Sequence, residues 1–225
     1  MNRDPHMEAA CQAEKTGGCK LDRKFRDMDI EEYLRRLGSA EPTPGGGAAA
    51  ALTSAQGAAL VMMVANLTIG KPEYAEFEEL NKDVRGEAEV LLGSLMDGID
   101  NDAEAFGNVS AAYAMSKKDE EKRSAEIASA SVLAAEAPLM VMEDSLAALR
   151  LALALRGHSN KRLESDIYVA ARCLDAGIRS ASYNVEANLP AIAKADPGLA
   201  AELRQHAADV LADTAAAISE LSEEK

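Results

Sequence analysis

Three groups of residues in this 225-residue chain have the types and spacing to do chemistry. The first is the turn EPTPGGG, Glu41 to Gly47, which feeds more than twenty uncharged residues ending at Gly70. Pro42 and Pro44 fix φ and disfavour helix before them, while Gly45, Gly46 and Gly47 permit unusual backbone conformations and close approach by another group. A helix starting there presents free N–H groups at a glycine-lined mouth. Orphan donors and helix dipole then point the same way, which suits an anion or a polarised carbonyl. The same pattern also serves as plain punctuation before a helix. The second group is IDNDAEAF, where Asp100, Asp102 and Glu104 crowd acidic charge around Ala103 and Phe106. It reads either as a solvated acidic face or as a carboxylate turned inward with a raised pKa. The third is Asp166, which closes the polar segment HSNKRLESD and opens a helix, where the dipole favours a carboxylate's charged form. Farther along that helix, Asn184 and Asn188 lie one turn apart on one face.

The elements that must position these residues are all helical. Aromatic content is only 4% with no Trp, and the abundant residue types favour helix almost everywhere, so the class is all-α. Asp29 caps a first helix with Glu32 three residues on, and Ile30, Tyr33, Leu34 and Leu37 form a stripe, ending at Gly38, that is expected to cover the next helix. That next helix, rich in Ala and Gly, is apolar on nearly every side and is expected to be central and buried, leaving Gln56, Asn66 and Thr68 in need of partners. Its length would also span a bilayer, but it has no flanking aromatic belt or lysine cluster. Pro72 can occupy the first turn of a third helix reaching about Tyr113, in which Gly86, Gly93 and Gly98 predict close packing or a kink. Ser116 and Asp119 cap a fourth, which Pro138 breaks or kinks before it resumes from Leu139 to Leu155. A long helix after Asp166 is ended by Pro190, and Asp196 with Pro197 opens the last.

A net charge of −14 argues against a phosphate backbone or an anionic membrane surface as partner. Cys11, Cys19 and Cys173 form no disulfide framework, and the histidines at 6, 158 and 206 have no metal-ligand spacing, so no metal is expected and the compartment is read as reducing. No hydrophobic leader is read at the N-terminus, and the expected location is the cytoplasm. Residues 1–27 lack periodicity and read as a mobile extension; 28–225 read as a single domain.

Taken together, PTPGGGAAAALTSAQGAALVMMVANLTIGK, DNDAEAF, SN followed four residues later by SD, VA and YNVEANL resemble the cyclodeaminase/cyclohydrolase family of folate enzymes, from about Met28 onward. The resemblance implies an all-helical homodimer built from long helices around the Ala/Gly-rich one, with folate bound near the subunit interface. It implies no cofactor, the tetrahydrofolate derivative being substrate. Asp166 and Asp102 are implied for charge stabilisation and proton transfer, and Lys71 for proton transfer or for a tail carboxylate. Pro44, Gly45, Gly46, Gly47, Asn66, Thr68, Asn160, Ser165, Asn184 and Asn188 are implied to position the ligand.

Two reactions follow from the resemblance: hydrolysis of 5,10-methenyltetrahydrofolate to 10-formyltetrahydrofolate, and cyclodeamination of 5-formiminotetrahydrofolate with loss of ammonia. Both pass through a tetrahedral carbon bearing nitrogens, and both want a proton-transfer group and a cation-tolerant site. Hydrolysis is favoured because no formiminotransferase domain is expected in 1–27. A non-catalytic helical scaffold is the remaining alternative. One distance constrains every version: Asp166 and Asn184 are eighteen residues apart, five turns and about 27 Å along an unbroken helix. Either folate lies along the helix, the two residues hold different ends of it, or a dimer mate brings them together.

Overall fold

A computed structural model describes residues 23–223, and within them every regular element is a helix. Six α-helices run in order: α1 Ile30–Leu37, α2 Gly46–Asn66, α3 Glu78–Ala114, α4 Glu120–Leu155, α5 Glu164–Ala195 and α6 Pro197–Glu223. Short 3-10 turns at Phe25–Asp27, Pro72–Phe77 and Lys161–Leu163 lead into α1, α3 and α5. The expected caps form: Asp29 accepts the Glu32 N–H at 2.8 Å, Asp119 that of Lys122 at 3.2 Å and Asp196 that of Leu199 at 2.9 Å.

Small residues set how closely α2 lies against its neighbours. It packs on α3, α4 and α5. A Cβ on Gly177 of α5 would fall 1.9 Å from Ser54 Oγ, and one on Gly57 would fall 2.5 Å from Leu174 Cγ. Ser54 meets Gly177 while Gly57 meets Leu174, so α2 and α5 run antiparallel at near backbone contact. Gly98 of α3 admits Ala51 and Val141 in the same manner, and a buried hydrogen bond of 2.7 Å joins Ser145 to Ser54. α6 closes over α4 and α5. Both α2 and α4 are long and apolar enough to cross a membrane by length and composition; in the fold most of the α2 window is buried within the chain.

Several expectations are corrected. Pro138 lies buried inside α4 without ending it, and Pro190 lies inside α5, which continues to Ala195. Proline at 138 removes the N–H that would bond the Ala134 carbonyl, and Asn188 Nδ2 of α5 donates to that carbonyl at 3.0 Å instead. Pro190 is exposed, so solvent can serve the carbonyl that it frees. Gly86 and Gly93 have no neighbour close enough to require them; of the four glycines in α3, only Gly98 is tightly packed. Gln56 and Asn66 are exposed, so of the three polar residues expected in the core only Thr68 is buried. The α1 stripe does not all face inward: Tyr33 is buried, whereas Ile30 and Leu34 are exposed. Finally, Phe25 is buried and its N–H donates to Asp100 Oδ1 at 2.7 Å, so the folded part begins before Met28. The rest of the expected extension, residues 1–22, lies outside the described residues, as do Cys11, Cys19 and His6.

Candidate active site

α3 crosses the N-terminal end of α2 and delivers Asp102 to it. The Ala48 N–H, in the first turn of α2, donates to Asp102 Oδ2 at 3.0 Å, which satisfies one of the helix's orphan donors with a carboxylate. The approach is as tight as glycine allows, for a Cβ on Gly47 would lie 2.0 Å from Asp102 Oδ1 and 2.5 Å from Cγ. The expectation of unusual backbone conformations at Gly45–Gly47 is not met. Among the described residues positive φ occurs only at Gly70 and Gly157, and Gly45 has φ −120°. Close approach is what Gly47 supplies. A Cβ on Gly46 would sit 3.6 Å from Asn184 Oδ1, an ordinary contact that locates the Asn184 amide at the same mouth. Asn184 Nδ2 donates to the Ser180 carbonyl at 3.1 Å, which turns its oxygen toward Gly46.

Burial raises the Asp102 pKa above the usual carboxylate range, and the Ala48 N–H offsets part of the rise. Of the two readings of the acidic segment, the inward carboxylate thus applies to Asp102, while Glu104 is exposed. Tyr33 of α1 stands in the same field. Its phenol is pushed up to about 12, first by burial and then by the Asp102 charge, and its hydroxyl has no hydrogen-bond partner. A carboxylate of this kind can face a developing cation when charged. It can also take and return a proton closer to neutral pH than an exposed aspartate can.

The other expected site residues gather at the opposite end of α2. The Thr68 hydroxyl donates to the Val64 carbonyl at 2.8 Å and accepts the Asn160 N–H at 3.0 Å. Asn160 in turn caps the turn before α5, its Oδ1 accepting the Arg162 N–H at 3.2 Å. Both residues are buried and tie the C-terminal end of α2 to the start of α5. Lys71 and Asp166 are half-buried at this end, Ser165 and Asn66 are exposed, and neither the Lys71 ammonium nor the Asp166 carboxylate is paired among the described residues. With 21 residues, α2 separates the two ends by about 30 Å. Within one subunit, therefore, Pro44, Gly45–Gly47, Asp102 and Asn184 come together, whereas Lys71, Asn160, Ser165 and Asp166 do not join them. Asn188 commits both amide hydrogens to carbonyls, those of Ala134 and Asn184, and its observed role is to bridge the gap left by Pro138.

Sequence reasoning expected free N–H groups at this mouth, suited to an anion; the Ala48 N–H is one of them, and the anion it meets is the chain's own Asp102. It missed Tyr33, which left only a faint signal as the single polar tip in an otherwise apolar α1 stripe. Among the described residues no group of three or more His, Cys, Asp or Glu side chains is gathered as metal ligands.

An all-helical subunit with a half-buried carboxylate at a glycine-lined helix mouth is a frame for proton transfer on a small molecule. The formiminotransferase-cyclodeaminase family model matches residues 29–209, and the chain belongs to that family. It is 44% identical, over 71% of its length and 78% of the relative's, to a methenyltetrahydrofolate cyclohydrolase of Methylorubrum extorquens. It is 31% identical over 81% of its length to the formimidoyltransferase-cyclodeaminase of Sus scrofa, of which it spans only 34%. A crystal structure of formiminotetrahydrofolate cyclodeaminase from Thermotoga maritima superposes with a TM-score of 0.82 at 26% identity, covering 89% of this chain and 96% of that one. Membership in this family makes the chain a folate one-carbon enzyme, and the fold is that of the cyclodeaminase.

Proposed function

We propose that the chain hydrolyses 5,10-methenyltetrahydrofolate to 10-formyltetrahydrofolate at the Asp102 end of α2. The observation that carries this reading is the half-buried Asp102 carboxylate held between Gly47 and the Ala48 N–H. Among the relatives, the similarity to the Methylorubrum cyclohydrolase, over most of both chains, favours hydrolysis. The charged Asp102 faces the amidinium carbon and takes a proton from the water adding there, giving a neutral tetrahedral centre. It returns that proton to N5 as the carbon–N5 bond breaks. The carbinol hydroxyl then loses its proton as the formyl carbonyl forms, so that one proton is released overall. No step calls for a metal, a cofactor or a covalent nucleophile.

The second reading, cyclodeamination of 5-formiminotetrahydrofolate, is favoured by the Thermotoga maritima structure, whose chain is covered almost entirely. It uses the same carboxylate on the same tetrahedral centre.

We infer further that the subunit is a cytoplasmic homodimer, built around α2, with no nucleic-acid or membrane partner. Asp166 and Asn184 lie on one edge of α5, five turns apart and symmetric about Asp175. Between them, an exposed strip of Val169, Ala176, Ser180 and Tyr183 has no cover among the described residues. Antiparallel pairing of two α5 helices about this point would set Asp166 of one subunit against Asn184 of the partner subunit, and each site would then draw on both ends of α2.

Each folate is supplied separately and the methenyl absorbance followed, corrected for spontaneous hydrolysis. Loss of absorbance above background is the expected result; its appearance from 5-formiminotetrahydrofolate with ammonia release, and no accelerated loss, would select the second reading. Light scattering should give twice 23.8 kDa, and a clean monomer at micromolar concentration would remove the shared site.

A further inference from the structure

Five buried side-chain polar atoms among the described residues lack a hydrogen-bond partner, Tyr33 Oη, Arg36 Nε and Asp100 Oδ2 among them. Tyr33 and Arg36 are three residues apart on the inward side of α1, and Asp100 stands on α3 half a turn before Asp102. Each unsatisfied buried group costs about 1–3 kcal/mol, so an idle one calls for an account. Tyr33 is the extreme case, being 4% exposed, with its ring fixed in the core and its hydroxyl idle. It lines a cavity of about 190 Å³ whose other walls are apolar apart from Arg26, among them Phe25, Met28, Leu52 and Ile99. Such a surround suits the face of a flat ring system, with a single donor for one polar atom on its edge.

We propose that Tyr33 is a substrate-contacting residue of the Asp102 site, its hydroxyl donating a hydrogen bond to an acceptor on the fused ring system of the bound folate. The inference rests on the folate reading above. Burial and the Asp102 charge keep the phenol protonated at every working pH, so the hydroxyl stays a donor. The contact is made to the bound ground state and is retained through the reaction, so it acts on affinity. Tyr33 is accordingly separable from Asp102, whose part is in the bond-making step.

The test is Tyr33→Phe, which deletes one oxygen and keeps the ring. KM for methenyltetrahydrofolate should rise about threefold to tenfold, as expected for loss of one neutral hydrogen bond, with kcat within about twofold of the parent. The melting temperature without ligand should stay the same or rise, since an unpartnered buried hydroxyl is being removed, while the increase that tetrahydrofolate produces should shrink. A structural hydroxyl would give the reverse, a lower melting temperature without ligand and a parental KM, and that result overturns the proposal. Parental KM together with a parental tetrahydrofolate-induced shift in Tyr33→Phe also overturns it, leaving the folate reading intact. A parent protein that neither turns over the methenyl compound nor responds to tetrahydrofolate removes both.

Discussion

Gly47→Ala is the smallest change that tests whether the Asp102 carboxylate must stand where it does. The new methyl would lie 2.0 Å from Asp102 Oδ1 and 2.5 Å from Cγ, distances no carbon can keep, so the carboxylate has to swing away from the α2 backbone. Its 3.0 Å bond from the Ala48 N–H goes with it. A hydrogen bond to a charged group contributes about 1.5–3 kcal/mol, but the swing also releases the carboxylate from the burial that raises its pKa, and Ala in place of Gly in a helix returns up to about 1 kcal/mol. The two sides offset at neutral pH, so stability should stay within about 1 kcal/mol, and Tm within about 4 °C, of the parent for a domain of this size. Turnover of methenyltetrahydrofolate should fall at least about 100-fold, the lower end of what a positioned acid–base group supplies. Gly86→Ala is the control, since nothing lies within 4 Å of the Cβ it would add. That variant should be as stable as the parent or more so, and fully active. Thermal melts and the methenyl absorbance assay read both quantities. Parental turnover in Gly47→Ala would refute the argument that this carboxylate, held in this position, does the chemistry.

Two further outcomes are expected. Asp166→Asn keeps the shape and removes the charge, so turnover should fall at least about 100-fold if the far end of α2 serves a shared site; near-normal turnover would take Asp166 out of the mechanism. Asp102→Asn should lose activity yet gain stability at neutral pH. Burial raises the folded pKa of Asp102 above its unfolded value, so its neutral form contributes stability that is fully present below about pH 4 and is lost as pH rises through the folded value. The asparagine is neutral throughout. The variant's advantage in Tm should thus be present at pH 7 and close as the pH falls toward 4, and a gap that stays constant or widens would contradict the burial argument.

Local rules made most of the helices legible. Asp29, Asp119 and Asp196 cap where their residue types and spacing say they should, because a cap depends only on neighbours three residues away. Prolines are harder to read for the opposite reason, and Pro190 was wrongly expected to end α5. Whether Pro138 breaks α4 depends on a donor for the Ala134 carbonyl, and that donor, Asn188, stands fifty residues on and belongs to another helix. Gly47 and Gly86 look alike as residues in a chain, yet one faces a carboxylate and the other faces nothing. Such differences reside in tertiary contact. For the site, the motifs identified the Gly45–Gly47 mouth, Asp102 and Asn184, which the fold brings together, and the five-turn spacing already kept Asp166 apart. They carried no sign of Tyr33 as a site residue, since buried tyrosine in an apolar stripe usually means core.

The features around the N-terminal end of α2 are also the ones that a purely structural bundle would discard. An aspartate whose burial disfavours its charge costs stability at neutral pH, and so does a tyrosine hydroxyl with nothing to bond. At several other places the chain resolves such conflicts: Asn188 bonds the carbonyl that Pro138 frees, Thr68 bonds Asn160, and Ser145 bonds Ser54. Asn or Ala at 102, or Phe at 33, would relieve the cost without disturbing the close packing of α2 on α5 at Gly57 and Gly177. A carboxylate whose charge is disfavoured and an idle hydroxyl in its field are better accounted for by a ligand with a cationic centre and a polar ring edge than by a scaffold. The same reasoning separates the two ends of α2. At the far end Thr68 and Asn160 are partnered, while Lys71 and Asp166 stand without an ion pair among the described residues, which is the condition expected of groups whose counterpart arrives with the substrate or with a second subunit.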